Sequence, residues 1–420
     1  MLSIEVLQFL SFLKNLFYLF KGAIVNELAT YQRMLDPLIG RRKFLYAISL
    51  ALGAGSLARV IGVGALPRFS QQNSSADDLN ENSLVPLNKS ATAKGLLFGA
   101  AATFGALTSD KNFAALVRQQ CGIVVSELDF KWEKLSNSPF SYNFTKADWL
   151  VDFCRRNNIF FRGHTLVWHA VLPKWFSGYV NASNAEEVLK KHVSVVVGRY
   201  AGKVHSWDIV NEATAPEEGN SRGLRISSVW YELLGEKYID IAFKAAALAD
   251  PKAMLVYNDY GIEYDTPADE AKRAAVLKLL VRLKKSGVPV HALGIQAHLY
   301  GDEKHFNPAV FKKFLKQVAD LGLKIIISEL DVADNTLIAD VGTRDRIVSD
   351  VYSAFLTCAL AEPAVIAVLT WGLSDRYTWL PYYRPRKDHL PARPLPFDKD
   401  LHPKPAYYAM TKAFDGAPQR

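Results

Sequence analysis

Eight short apolar runs, rich in β-branched residues, recur along the chain and alternate with stretches of helical periodicity. The runs cover residues 97–103, 122–127, 159–166, 204–210, 253–258, 292–297, 324–329 and 365–371. Between and after them, helical spacing of apolar residues predicts helices at 110–120, 146–157, 184–200, 227–249, 267–286, 307–321, 343–361 and 404–414. Strands buried on both faces read as continuous apolar runs, and strand-helix alternation is the mark of parallel βα units. Eight such units favour a closed (β/α)8 TIM barrel over an open doubly wound sheet. Nor does a Gly-x-Gly-x-x-Gly follow the first run, as a dinucleotide fold would require. Half of the 420 residues are hydrophobic and 12% are aromatic, which is enough for one large core.

The polar residues sit at the ends of these runs. Glu127 ends the second, and His164, Trp168 and His169 follow the third. Asn211 and Glu212 follow the fourth, and Asn258 and Asp259 the fifth. Gln296 and His298 belong to the sixth, Glu329 and Asp331 to the seventh, and Trp371 to the eighth. In a barrel all of these meet at one rim, the C-terminal face of the strands. Singly, each is as well explained by a structural hydrogen bond; together they require a common site. Glu212 and Glu329 matter most, because a strand that ends in a carboxylate directs a costly group at a cavity or at water. Two carboxylates on different strands of one barrel are the machinery of glycoside hydrolysis, one donating a proton to the leaving oxygen and the other acting as nucleophile or base.

Seven segments strengthen this reading: Gly163-His-Thr-Leu-Val-Trp-His169, Trp207-Asp-Ile-Val-Asn-Glu212-Ala, Tyr257-Asn-Asp-Tyr260, Gly294-Ile-Gln-Ala-His298, Ile327-Ser-Glu-Leu-Asp331-Val, Thr370-Trp-Gly and Pro403-Lys-Pro-Ala-Tyr-Tyr. In this order, over residues 97–412, the sequence resembles glycoside hydrolase family 10, the (β/α)8 endo-β-1,4-xylanases. The resemblance implies an endo-acting, retaining hydrolase of xylan with Glu212 as acid/base, Glu329 as nucleophile, and carboxyl groups about 5–5.5 Å apart. It also ties His298 to the nucleophile, with Asp331 supporting that pair, and sets Asn211 against the sugar 2-hydroxyl. Trp168, Trp371 and Trp379 are expected to offer flat faces to pyranose rings, and Glu127, Lys131, His164 and Gln296 hydrogen bonds to hydroxyls. Trp132 and Trp175 read as core packing, and His169 either orients a neighbour or touches sugar.

The chain departs from the family pattern in one place. Where Glu-Asn-x-x-Lys is usual, it reads Glu127-Leu128-Asp129-Phe130-Lys131, so an amide that contacts sugar is replaced by Leu128. Binding in that subsite is expected to be weaker, or re-tuned toward decorated xylan or another β-1,4-glycan. The segment 380–391 after Trp379 is long, basic and aromatic, and reads as a surface loop that covers one end of the cleft or meets acidic substituents. Other readings are a β-1,4-glucanase or mixed-specificity β-glycanase on the same barrel, or a non-catalytic carbohydrate-binding protein. The second would ordinarily have lost a carboxylate, and both are present.

Residues 1–67 read as a targeting segment. Arg41-Arg42-Lys43-Phe44-Leu45, a weakly apolar Gly/Ala-rich stretch and the exit site Val63-Gly64-Ala65 resemble a twin-arginine export signal. Forty residues precede the arginine pair, so translation is expected to begin at Met34; otherwise residues 1–25 form a second membrane-associated helix. The expected location is periplasmic or extracellular, with transient or permanent membrane association through residues 1–65. A membrane-anchored structural protein would explain this segment and nothing after residue 93. Residues 68–92, Ser- and Asn-rich, read as a polar linker, with the catalytic domain at 93–420. The formal charge of +8 is no nucleic-acid signal, because residues 1–67 hold seven Lys/Arg against three Asp/Glu and no basic run interleaves with aromatics. The partner implied is a polysaccharide. Cys121, Cys154 and Cys358 lack metal-ligand spacing and read as small buried hydrophobes. The predicted chemistry uses no cofactor or metal.

Overall fold

The structure, a computed structural model, describes residues 84–420. The targeting segment 1–67, with Arg41–Arg42 and Met34, and linker residues 68–83 lie outside the described residues.

The eight strands are β1 Leu97–Ala102, β2 Ile123–Ser126, β3 Phe160–Gly163, β4 Ser206–Asn211, β5 Met254–Asp259, β6 Ala292–Ile295, β7 Lys324–Ala333 and β8 Val365–Thr370. They pair in parallel in chain order, and β8 pairs with both β1 and β7, so the sheet closes on itself. The main connecting helices are α1 Lys111–Gln120, α2 Thr145–Arg156, α3 Ala185–Arg199, α4 Lys237–Ala249, α5 Pro267–Lys285, α6 Pro308–Asp320 and α7 Val341–Ala359, with α8 Pro405–Asp415 last. Their ends follow from local chemistry. In α5, Thr266 accepts from the Asp269 amide (3.1 Å), Pro267 opens the first turn, and Lys284 and Lys285 sit at the carbonyl end.

Three differences from the sequence reading have physical causes. Helix 227–249 is two helices, Val229–Leu234 and Lys237–Ala249, because Gly235 takes a positive φ of 59° that ends the first. Strand β7 runs on to Ala333, because Asp331, Val332 and Ala333 gain a partner in the short strand His298–Tyr300. The folded body also starts before residue 93. Residues 87–92, read as linker, form a helix packed among β1, α1 and α8. Leu87 and Ala91 there are fully buried, and the Leu87 amide donates to Gln120 Oε1 (3.0 Å). A polar composition hid two apolar residues four apart, which is one helix face.

Two cores result. Outward-facing strand residues join the helices in one large cluster. Inside the barrel lie Ala101, Ile123, Val125, Val256, Ala292, Ile326, Ala367 and Leu369, capped by Trp371. The rest of the interior is polar and holds a buried charge pair. Arg162, fully buried, pairs with Asp208 and donates to Ser206 Oγ (3.1 Å). Gly294 makes the space, since a Cβ there would stand 2.1 Å from Asn258 Oδ1 and 3.3 Å from Arg162 Nη2. Cys121, Cys154 and Cys358 are buried and free.

The buried N-terminal helix sets a testable boundary. A chain beginning at Ala93 should lose about 2–4 kcal/mol of stability relative to one beginning at Leu84, from the apolar surface uncovered. Urea unfolding of both measures this, and coincident curves would return residues 87–92 to the linker.

Candidate active site

Two irregular strands carry the carboxylates. On β7, Ile327 and Leu330 face Val368 and Thr370 of β8, so three steps on one strand match two on the other. Such a bulge re-aims side chains. Here it lets consecutive residues reach one amide: Ser328 Oγ donates to Asn258 Oδ1 (2.7 Å), while Asn258 Nδ2 donates to Glu329 Oε1 (2.7 Å). A similar shift on β4 lies between Asp208 and Val210. Directly after β4, Glu212 takes φ = 58°, a left-handed conformation that costs a residue with a Cβ on the order of 1 kcal/mol or more. Its amide donates to the Asn258 carbonyl (2.9 Å) and its own carbonyl accepts from Arg225 Nε (2.9 Å), which hold it there.

The two carboxyl groups sit in opposite environments. Glu329 is 4% exposed. Burial opposes its charge, but His164 and His298 beside it and the Asn258 amide outweigh burial and hold it at about 2. His298 Nε2 lies 3.4 Å from Glu329 Oε2, and its Nδ1 is 3.0 Å from Asp331 Oδ1. Burial works against the His298 cation too, yet Asp331 and Glu329 raise it to about 10, so an imidazolium stands between two carboxylates. Asp331 Oδ2 accepts from Trp379 Nε1 (2.7 Å).

Glu212 moves the other way. Burial raises its proton affinity, and Asp259 and Glu329 add to that. Gln296 Nε2 (3.1 Å) and Trp168 Nε1 (2.9 Å) donate to the carboxylate and offset part of the rise. Asn211 Nδ2 also donates to Glu212 Oε1 (3.1 Å), and its Oδ1 accepts from Asn258 Nδ2 (2.9 Å). A chain of side-chain amides therefore links the carboxyl whose proton affinity is raised to the one whose affinity is lowered. Two carboxyls on a shared rim with proton affinities pushed apart can divide the work of protonating a leaving oxygen and attacking a carbon.

All the residues expected at the rim are found around this pair, several serving a carboxylate first. His164 Nδ1 is 3.0 Å from Asp208 Oδ2 and 3.8 Å from Glu329 Oε1, and Gln296 and Trp168 bond Glu212. Trp371 is only 5% exposed and closes the barrel interior beneath His164 and His298, with ring centroids at 5.1 and 6.3 Å. Trp379 is half-buried against His298 (4.9 Å). Lys131 Nζ lies 5.2 Å from the Trp168 ring. Burial raises Glu127 to about 7 and lowers Lys131, each partly offset by the other's charge. His169 Nδ1 is 4.0 Å from Glu212 Oε2. Leu128 is 41% exposed beside Glu127. Trp132 is core, stacked on His192 and Trp230, and Trp175 donates to the Ser136 carbonyl (3.3 Å).

The sequence reading missed Arg162, Asp208, Arg225 and the bond from Arg225 Nη2 to Tyr260 Oη (3.2 Å). For the first two a signal existed: a charge inside an apolar run, on two strands that pair. Arg225 lies in a loop and had none.

Residues 86–413 match the family model for glycosyl hydrolase family 10. Endo-1,4-beta-xylanase B of Thermotoga neapolitana is 34% identical over 334 residues, covering 79% of this chain and 92% of that protein. A beta-1,4-xylanase of Dictyoglomus thermophilum is 35% identical over 326 residues, covering 74% and 88%. Among solved structures, xylanase 10B of Thermotoga petrophila in complex with xylobiose superposes with a TM-score of 0.72 at 34% identity, over 79% of this chain and 98% of that one.

The opposed carboxyls give pH behaviour a sign. With Glu329 as the anion and Glu212 as the acid, activity is expected to need Glu329 ionised and Glu212 protonated. Removing the imidazolium in His298→Ala raises the Glu329 carboxyl, so the acidic limb of kcat/KM moves to higher pH. Removing a donor to the Glu212 carboxylate in Trp168→Phe raises Glu212 further, so the alkaline limb moves to higher pH. Profiles of both variants beside wild type check this, and a shift of either limb downward would contradict the assignment.

Proposed function

The chain belongs to glycosyl hydrolase family 10, and from that premise we propose that it cleaves internal β-1,4-xylosidic bonds of xylan with retention, through Glu212 and Glu329. The observation that carries the roles is the opposite tuning of the two carboxyls, the proton affinity of Glu212 raised by burial and that of Glu329 lowered by the histidines beside it.

Glu212 gives its proton to the glycosidic oxygen as Glu329 attacks the anomeric carbon, so the leaving sugar departs neutral and a glycosyl ester forms on Glu329. Esterification removes the negative charge of Glu329, one of the fields that raises Glu212. The acid strengthens, becomes the base and takes a proton from the water that attacks the ester. Displacement of Glu329 regenerates both starting states. Two carboxyl groups and water suffice for this cycle. Asn211, fixed by Asn258 and Gln296, presents its amide next to Glu212, where a sugar 2-hydroxyl would meet it. Glu127, Lys131, Trp168 and Trp379 are proposed to line the sugar path, and the exposed Leu128 to alter preference in the subsite beside Glu127. Export by the twin-arginine-like segment rests on its residues alone.

Purified xylan should release reducing sugar with wild type, and Glu212→Ala and Glu329→Ala should each cost at least about 10²–10⁴-fold. Proton NMR of the first product should show the β anomer. Release from carboxymethylcellulose and not xylan would transfer the activity to a β-1,4-glucan, and a first-formed α anomer would contradict the nucleophile.

A further inference from the structure

The segment after β8 carries more than a surface loop needs. Its short helix Leu380–Tyr383 ends in two tyrosines, with Tyr382 87% and Tyr383 72% exposed. The Tyr383 ring is 4.6 Å from Trp379, which in turn touches His298, so an aromatic path runs outward from the nucleophile's own partner. Arg384 follows. Its guanidinium lies 4.2 Å over the ring of Tyr300, two residues beyond His298. Its Nη1 is buried with no hydrogen-bond partner, and among the described residues no carboxylate lies within ion-pair distance of it.

The neighbouring arginines differ. Arg344 pairs with Asp334, Arg393 with Asp345 (2.7 Å) and Arg386 with Asp388 (2.5 Å). Arg386 also donates to the carbonyls of Asp334 and Leu337, which ties the loop to the barrel directly beyond Arg384. Arg384 is therefore carried on an anchored frame, half-buried on an aromatic ring and lacking the carboxylate its neighbours each hold. Unpaired charge and exposed aromatic surface on a fixed loop are destabilising unless a ligand completes them.

Resting on the reading of the cleft as a xylanase cleft, we propose that Arg384 and Tyr383 form a subsite for a carboxylate-bearing branch of the polysaccharide, a uronic acid substituent. The planar guanidinium fork matches a carboxylate, and the tyrosine face packs against the C–H face of a pyranose. Exposed Lys387 adds positive charge to the same loop.

The test uses the full chain on a uronic-acid-substituted xylan and on the same polymer with its carboxyls reduced to alcohols. The readout is the ratio of kcat/KM, acidic over reduced. Arg384→Gln should lower this ratio about 3- to 10-fold, as expected for one charge-assisted contact at a partly solvated site. Tyr383→Ala should lower kcat/KM on the substituted polymer without erasing the dependence on the carboxyl. An unchanged ratio in Arg384→Gln overturns the subsite. If wild type hydrolyses neither polymer, the xylanase reading fails separately, and calorimetric titration with an acidic xylo-oligosaccharide decides the subsite. Weaker binding by Arg384→Gln supports it, and equal binding refutes it.

Discussion

Two carboxylates two residues apart on one strand, Glu329 and Asp331, are aimed into the same nearly dry rim, and both cannot be charged there without a cation. His298 is that cation. Its two ring nitrogens face one carboxylate each; Asp331 first and then Glu329 raise His298, and His164 together with His298 lowers Glu329. Much of the site's local structure serves this contact. The short strand that carries His298 exists by pairing with the extension of β7, and Trp379 fixes the far oxygen of Asp331. With Glu329 kept ionised, its field in turn helps Glu212 keep a proton. That field acts on Glu212 beside burial and Asp259, so the two carboxyls are coupled without depending on a single pair of charges.

The barrel interior supports the rim from below. Arg162, Asp208 and Ser206 replace the apolar layer that β3 and β4 would otherwise supply, and Asp208 reaches up to His164, which faces Glu329. A buried ion pair is poor evidence for stability, since well-packed apolar groups often do as well. Its value here is positional: a charged column fixes the orientation of His164 where an aliphatic layer could not. The amides do the same between the strands: Asn211 and Asn258 are bonded through both oxygen and nitrogen, and Gln296 donates through Nε2 to Asn211 and Glu212.

Much of this could be read from the chain alone, for a specific reason. Barrel strands are buried on both faces, so their apolar runs stand out, and a polar residue at the end of such a run is conspicuous. That is why Glu212 and Glu329 could be named before any coordinates. What stayed hidden depends on contacts far apart in sequence. Nothing local says that Arg162 meets Asp208, that Arg225 holds the Glu212 carbonyl, or that Trp168 and Gln296 bond a carboxyl before any sugar. The helix at 87–92 was masked by polar neighbours, and Gly235 was passed over as an ordinary helical position until its backbone required φ > 0. Leu128 and Arg384 take their meaning only from their setting, one exposed beside Glu127 and the other stacked on Tyr300.

The central claim is that Glu329 is the anion that bonds to sugar. A xylobioside with fluorine in place of the reactive sugar's 2-hydroxyl and an activated leaving group should form the glycosyl ester and release it slowly. Intact-protein mass spectrometry should then show one added glycosyl unit, and peptide analysis should place it on Glu329. The adduct should be absent from Glu329→Gln. An adduct on Glu212 or on any other residue, or one that persists in Glu329→Gln, would contradict the account.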